Sequence, residues 1–328
     1  MTTAILATAT GLALGILMAR GRVCFNAGVR RAVVSRDSTI LRVFAVAVAV
    51  QLLLLPLLLA LGVDPLSANV DAGAPALFPV SQLIGGLTFG VGMALAGGCI
   101  TGILWKAGAG SVATAIAIVG FVAGELVIRG PLDSLLTGLD DASRPATSSV
   151  AELTGVPYPV LAIALGVLAL VLLARRSRTG LVLGAGFGLI AALAWVAADV
   201  SGYGYGLGFV GAAEGTRGAI DSGGSFPFQL FLALGVLAGG TIAVRGPLRS
   251  LDGARAGRAL AGGVLMGFGG NLAHGCNIGH GVTGVPLLSL GSLLAVGAMG
   301  VGAVLTWRYL LAPLPKLRGF ERPEAVGW

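Results

Sequence analysis

Charge is scarce in this 328-residue chain. Only 11% of its residues are Asp, Glu, Lys or Arg, 56% are hydrophobic and the mean hydropathy is +0.94. Soluble domains carry roughly 25% charged residues, so the composition excludes one and leaves an integral membrane protein. Aromatics are few as well, at 6%, whereas glycine occupies 55 positions. That much glycine would weaken soluble helices, but in lipid small residues let helix backbones approach closely, which suits a compact bundle. Cysteine is limited to Cys24, Cys99 and Cys276, all beside glycine or within apolar sequence. Three such residues make no disulfide framework. Nothing in the sequence calls for a cofactor or a resident metal centre.

The formal net charge of +7 raises nucleic acid as a partner. The basic residues sit mainly in short loops beside apolar runs, where they set membrane orientation, so no nucleic acid is expected and lipid is the surrounding partner. The first span lacks a basic leader and continues into Arg20 and Arg22, which argues against a cleaved signal peptide.

About nine apolar segments are long enough, or nearly so, to cross roughly 30 Å of hydrocarbon. They are expected near Thr3–Met18, Ile40–Leu61, Gln82–Ala96, Ser111–Ile128, Tyr158–Leu173, Leu181–Ala198, Phe228–Val244, Ala259–Ala273 and Leu287–Leu305. Basic residues follow the first (Arg20, Arg22, Arg30, Arg31, Arg36, Arg42), fifth (Arg175, Arg176, Arg178), seventh (Arg245, Arg249, Arg255, Arg258) and last (Arg308, Lys316, Arg318, Arg322). Acidic loops lie between, at Asp64 and Asp71 and again at Asp199, Glu214 and Asp221. The positive-inside bias therefore predicts an external N-terminus and a cytoplasmic C-terminus.

One segment occurs twice. Leu83, Gly85, Gly86, Gly90, Gly92, Leu95, Ala96, Gly98, Cys99 and Gly102 match Leu260, Gly262, Gly263, Gly267, Gly269, Leu272, Ala273, Gly275, Cys276 and Gly279. Every pair is offset by 177 positions (260 − 83, and equally 276 − 99). A repeat of this length means two structural halves. The loop charges give the copies opposite orientation, so the expected fold is all-α, with inverted halves at about 1–129 and 180–311 and a connector at about 130–179. Such architectures bring glycine-broken or re-entrant helices together near the bilayer centre, where transporters hold their substrates.

The residues able to carry chemistry cluster at those breaks. Cys99 and Cys276 repeat in register, each after a glycine, with Gly97, Gly98 and Thr101 around the first and Asn271, His274, Gly275, Asn277 and His280 around the second. Cys24, in Gly21-Arg22-Val23-Cys24-Phe25, follows the first span, and the same offset places Ser201 opposite it. For each cysteine the competing reading is a small buried hydrophobe. The histidines and asparagines are either donors along a path or loop residues satisfied by their neighbours. Arg22 is a candidate to hold an anion near Cys24. Lys106 is read as an orientation charge, and Glu125, an intramembrane carboxylate, as a paired residue or a proton-coupling site.

Gly21-Arg-Val-Cys-Phe25, Ala96-Gly-Gly-Cys99 and His274-Gly-Cys-Asn277, in an apolar chain of this length, resemble the YeeE/YedE family of sulfur-compound transporters. The resemblance spans nearly the whole chain. It implies thiosulfate uptake across the bacterial inner membrane, with Cys24, Cys99 and Cys276 contacting the passing ion, and a cytosolic TusA-like sulfur carrier as partner. It implies no enzymatic activity. In physical terms an uncompensated buried charge costs several kcal/mol. Backbone N–H groups at helix breaks can compensate a dianion without a fixed countercharge that would trap it. A neutral thiol adds a weak S–H donor, and conduction needs weak, multiple sites. Three other readings stay open on the residues alone: a soft-metal-ion transporter, a membrane sulfurtransferase carrying a cysteine persulfide, and a structural membrane protein.

Overall fold

The computed structural model describes residues 2–63, 76–128, 138, 140, 145, 147–174, 178–244 and 253–311, the side chains of Ile128, Arg178 and Thr179 excepted. Asp64, Asp71, Arg175, Arg176, Arg245, Arg249, Lys316, Arg318 and Arg322, whose charges orient the expected topology, lie outside the described residues.

Apolar runs dictate the long helices. These are α1 (Thr2–Gly21), α3 (Thr39–Ala60), α4 (Pro79–Ala96), α6 (Val112–Ile128), α8 (Tyr158–Ala174), α9 (Arg178–Val200), α11 (Phe228–Ala243), α12 (Gly253–Leu272) and α13 (Leu290–Leu305). Local chemistry sets their ends: Pro79 opens α4, where its missing N–H costs nothing, and Gly97 closes it in the left-handed region at φ 76°. Among the described residues five segments are long and apolar enough to cross a membrane, and three shorter helices are predominantly apolar. Strand content there is a single antiparallel bridge, Ser149 to Ser289. The chain is thus an all-α membrane protein, and exposed Val160, Ile163, Val167, Leu168, Val171 and Leu172 give α8 an apolar outer surface suited to lipid.

Four short helices occupy stretches between the expected spans: α2 (Phe25–Ser35), α5 (Ile100–Gly108), α7 (Val150–Thr154) and α10 (Ala212–Ser222). Ser149 and Glu152 form a reciprocal capping box that starts α7. After Cys276 the chain runs as a π-helical turn, Gly279–Gly284, and a 3₁₀ turn, Val285–Leu287.

Glycine governs how the long helices meet. At the centre α4 and α12 cross antiparallel, and a side chain on either would collide with the other's backbone. A methyl at Gly92 would lie 2.6 Å from Gly262 O, and one at Gly269 would lie 2.6 Å from Gly85 O. These two contacts exchange under the 177-residue offset of the repeat (85 with 262, 92 with 269). Parallel pairs flank the crossing: α6 runs beside α12 and α13 beside α4, while α1 pairs with α11 and α9 with α3.

Candidate functional site

All three cysteines are found where one helix has stopped and another starts. Cys24 lies between α1 and α2, Cys99 between α4 and α5, and Cys276 between α12 and the turns leading to α13. Each carbonyl accepts the N–H four residues on, Gly28 at 2.9 Å, Ile103 at 2.8 Å and His280 at 2.8 Å. Each thiol is therefore at the N-terminal start of a helical segment, where the first N–H groups have no partner within the helix. The sulfurs are interior, with Cys24 1% exposed and Cys99 and Cys276 0% exposed, and all three are free thiols.

Two of them meet. Cys24 Sγ and Cys99 Sγ are 3.6 Å apart, and Thr101 Oγ1 lies 3.5 Å from Cys99 Sγ. Gly102 makes the meeting possible, since a methyl there would lie 2.5 Å from Cys24 Sγ and 3.2 Å from Cys99 Sγ. Gly97 and Gly98 form the preceding turn, and Lys106 Nζ donates to Gly97 O at 2.8 Å. Lys106 thus fastens the end of α4 as well as carrying charge. Arg22 is exposed at φ 51°, two residues before Cys24.

Cys276 stands beside open space instead. A cavity of about 180 Å³ is lined by Tyr203, Tyr205, Gly208, Phe209, Cys276, Gly279 and neighbouring residues, with no carboxylate among them. Its volume is that of roughly six waters at ~30 Å³ each. Gly279 N donates to Cys276 Sγ at 3.3 Å, and Tyr205 Oη donates to Gly279 O at 2.9 Å. Among the cavity-lining residues exposed His274, at φ 62°, brings Nε2 within 2.8 Å of Asp140 Oδ2 and packs on Phe78 with ring centroids 4.7 Å apart. Asp140 in turn accepts from Ser81 Oγ.

The remaining candidates divide by partner. His280 lines the cavity but uses both ring nitrogens within the protein: Nε2 is 2.8 Å from Ala273 O and Nδ1 is 3.0 Å from Ser292 Oγ. Its ring fits because Gly275 has no side chain, where a methyl would lie 2.7 Å from Nε2. Asn271 Nδ2 donates to Glu125 O at 2.7 Å, and buried Glu125 accepts from Gly211 N. Asn277 differs: it is 1% exposed, and among the described residues neither Nδ2 nor Oδ1 finds a hydrogen-bond partner. A buried amide left unsatisfied beside Cys276 is a donor and acceptor still available to a ligand.

Two features escape the sequence. The aromatic loop Tyr203–Phe209, readable only as part of an outer loop, supplies one wall of the cavity. The counterpart of Cys24 is also displaced. A methyl at Gly279 would meet Cys276 Sγ at 3.7 Å, Leu207 O at 3.7 Å and Gly208 Cα at 3.9 Å, so Gly208 takes the place that Cys24 has beside Gly102. The offset there is 184 (208 − 24) in place of 177, and Ser201 falls seven residues short (184 − 177).

His280, four residues after Cys276, has no nitrogen left to serve that thiol as a base. Among the described residues no three His, Cys, Asp or Glu side chains converge to hold a metal ion.

Known proteins give the same direction. The chain is 28% identical to the thiosulfate transporter TsuA of Escherichia coli (strain K12) over 341 aligned positions, covering 94% of this chain and 95% of that protein. It is 30% identical to the thiosulfate transporter TsuA of Spirochaeta thermophila over 317 positions, covering 87% and 92%. The probable transporter YedE of Escherichia coli is 31% identical over 107 positions, covering 33% of this chain and 25% of that protein. The model of the sulphur-transport family matches residues 20–185 and again 178–305. With both cysteine-bearing segments inside those matches, the chain belongs to the sulphur-transport family, that of the YeeE/YedE proteins.

Proposed function

We propose that this protein takes up thiosulfate across the bacterial inner membrane along a route lined by Cys276, Cys99 and Cys24. The observation that carries the reading is the shared position of the three thiols: each is buried, and each stands at the start of a helical segment. A dianion entering hydrocarbon exchanges its water for donors. Helix-start N–H groups and S–H groups provide such donors without a fixed positive charge. The ion enters the cavity past His274, meets the Cys276 thiol and the unpaired Asn277 amide, and passes to Cys99 and Cys24 on the inner side. Thr101 supports the Cys99 station. Arg22 draws the ion outward to the cytoplasm, where a TusA-like carrier accepts it. Asn271, Gly275 and His280 act on this route by shaping the loop that holds Cys276.

The antiparallel crossing of α4 and α12, whose contacts exchange under the repeat offset, supports two oppositely inserted halves, about 1–129 and 180–311, joined by a connector of about 130–179. In that frame the N-terminus is external and the C-terminus cytoplasmic. Labelled thiosulfate uptake by cells carrying Cys24→Ala, Cys99→Ala or Cys276→Ala tests the route. Each change is expected to abolish uptake at wild-type membrane abundance, and uptake surviving all three would overturn the reading.

A further inference from the structure

The Cys24 and Cys99 sulfurs, 3.6 Å apart, belong to elements 75 residues apart in sequence, and both remain reduced. We propose that these two thiols are a reversible oxidation site: a small two-electron oxidant of the peroxide class joins them in a disulfide that closes the transport route. The inference rests on the route proposed above.

The geometry favours this pair. A disulfide requires an S–S distance of about 2.05 Å, so the sulfurs need to approach by only ~1.5 Å. Nothing stands between them, because the side that faces both sulfurs is Gly102. Neither residue is inside a helix. Cys24 follows the turn containing Arg22 at φ 51°, and Cys99 follows the turn containing Gly97 at φ 76°, so each side chain can reorient without unwinding a turn of helix. The third thiol is placed differently, 3.3 Å from the Gly279 N–H and against the cavity. Both members of the pair are buried, which selects an oxidant small enough to follow the ion's own route.

The chemistry balances in two steps. One thiol loses its proton, its sulfur attacks an oxygen of hydrogen peroxide, the O–O bond breaks and the departing hydroxide takes that proton, leaving a sulfenic acid and water. The second thiol's sulfur then attacks the sulfenic sulfur; the S–S bond forms, the S–O bond breaks, and the hydroxide leaves as water with the second proton. Two thiols are oxidised by two electrons, and one peroxide is reduced to two waters. The product has lost both S–H donors at the inner station, and its bonded sulfurs no longer open to accept an ion.

The full-length protein in proteoliposomes tests this. After graded hydrogen peroxide and alkylation of residual thiols, mass spectrometry measures the peptide pair linked through Cys24 and Cys99, while labelled thiosulfate uptake is measured before and after a phosphine reductant. The expected result is at least a tenfold fall in uptake at full linkage, in proportion to the linked fraction, with recovery on reduction. If no linked pair forms while untreated protein transports, the oxidation site is refuted and the route stands. Linkage without loss of uptake refutes both the closure and the place of these thiols on the route. Loss of uptake accompanied only by oxidation of Cys276 also overturns the proposal.

Discussion

Gly102→Ala and Gly279→Ala are the same substitution at equivalent positions of the repeat, and the structure assigns them opposite outcomes. The added methyl at position 102 would lie 2.5 Å from Cys24 Sγ and 3.2 Å from Cys99 Sγ. Ordinary contacts are about 3.5–4.0 Å, so the overlap with Cys24 is ~1 Å and that with Cys99 a few tenths. The nearer atom is the end of a side chain, so relief comes from turning Cys24 away, which separates the two sulfurs. Overpacking of this kind costs about 1–3 kcal/mol, or roughly 5- to 150-fold in an equilibrium or rate that depends on the pair. At position 279 the nearest atoms would be 3.7 Å away, which is ordinary contact. Labelled thiosulfate uptake, normalised to correctly folded protein by size-exclusion profile, should fall by one to two orders of magnitude in Gly102→Ala and less than threefold in Gly279→Ala. Full activity in Gly102→Ala, or a larger loss at Gly279 than at Gly102, would refute the argument that the Cys24–Cys99 approach matters.

Two further outcomes follow from hydrogen bonding. His280→Phe keeps the ring's bulk in the hollow left by Gly275 but removes the ring donor to Ala273 O and one partner of Ser292 Oγ, at about 1–3 kcal/mol for a buried group left stranded. Its thermal midpoint in detergent should drop and uptake should fall with it; an unchanged midpoint would show that these bonds do not hold the Cys276 loop. Asp37, between α2 and α3, accepts from Thr39 Oγ1 at 2.6 Å and Thr39 N at 2.9 Å, and these bonds hold its carboxyl below the usual carboxylate range. A depressed folded value means that the stabilisation is present above the unfolded value and is lost as pH falls through the folded one. The small stability advantage of wild type over Asp37→Asn, read as thermal midpoints, should therefore shrink on acidification, and an advantage that grows instead would contradict the assignment.

Long apolar runs are legible because a membrane helix needs only length and hydropathy, and Phe228–Ala243 and Tyr158–Ala174 fall within a residue of their sequence expectation. The short helices α2, α5 and α10 are less so. Their lengths of 11, 9 and 11 residues, set among arginines or glycines, give no run that hydropathy separates from a loop. The repeat made Cys99 and Cys276 conspicuous. It could not show that Cys24 meets Cys99, because a contact across 75 residues leaves no local pattern. His280 shows the same limit from the other side: a histidine beside a cysteine suggests chemistry, and only its distances to Ala273 and Ser292 show both nitrogens in use.

The seven-residue shift between the two copies explains why the thiol stations differ. At Gly102 the neighbouring loop presents Cys24, whose side chain fills the space and brings a second sulfur to the first. At Gly279 the corresponding loop presents Gly208, which fills nothing, and Gly208 is itself part of the cavity wall beside Cys276. One copy thus carries a second sulfur beside its repeated glycine, and the other carries a glycine of the cavity wall there. On the proposed route this asymmetry has a direction. A roomy, aromatic-walled station can admit a hydrated ion, and a tight two-sulfur station can receive it only after its water has been removed. Filling the open side should therefore test what that space does: the Cβ of Gly208→Cys would lie 3.1 Å from Tyr203 Oη and 3.8 Å from Tyr205 Cδ1, both residues of the cavity wall, and its thiol would shrink the cavity. If the open volume is what admits the ion, that variant loses uptake even though it gains a donor. If thiol donors alone set the rate, uptake is kept or raised, and the assignment of the cavity as the outer access is wrong.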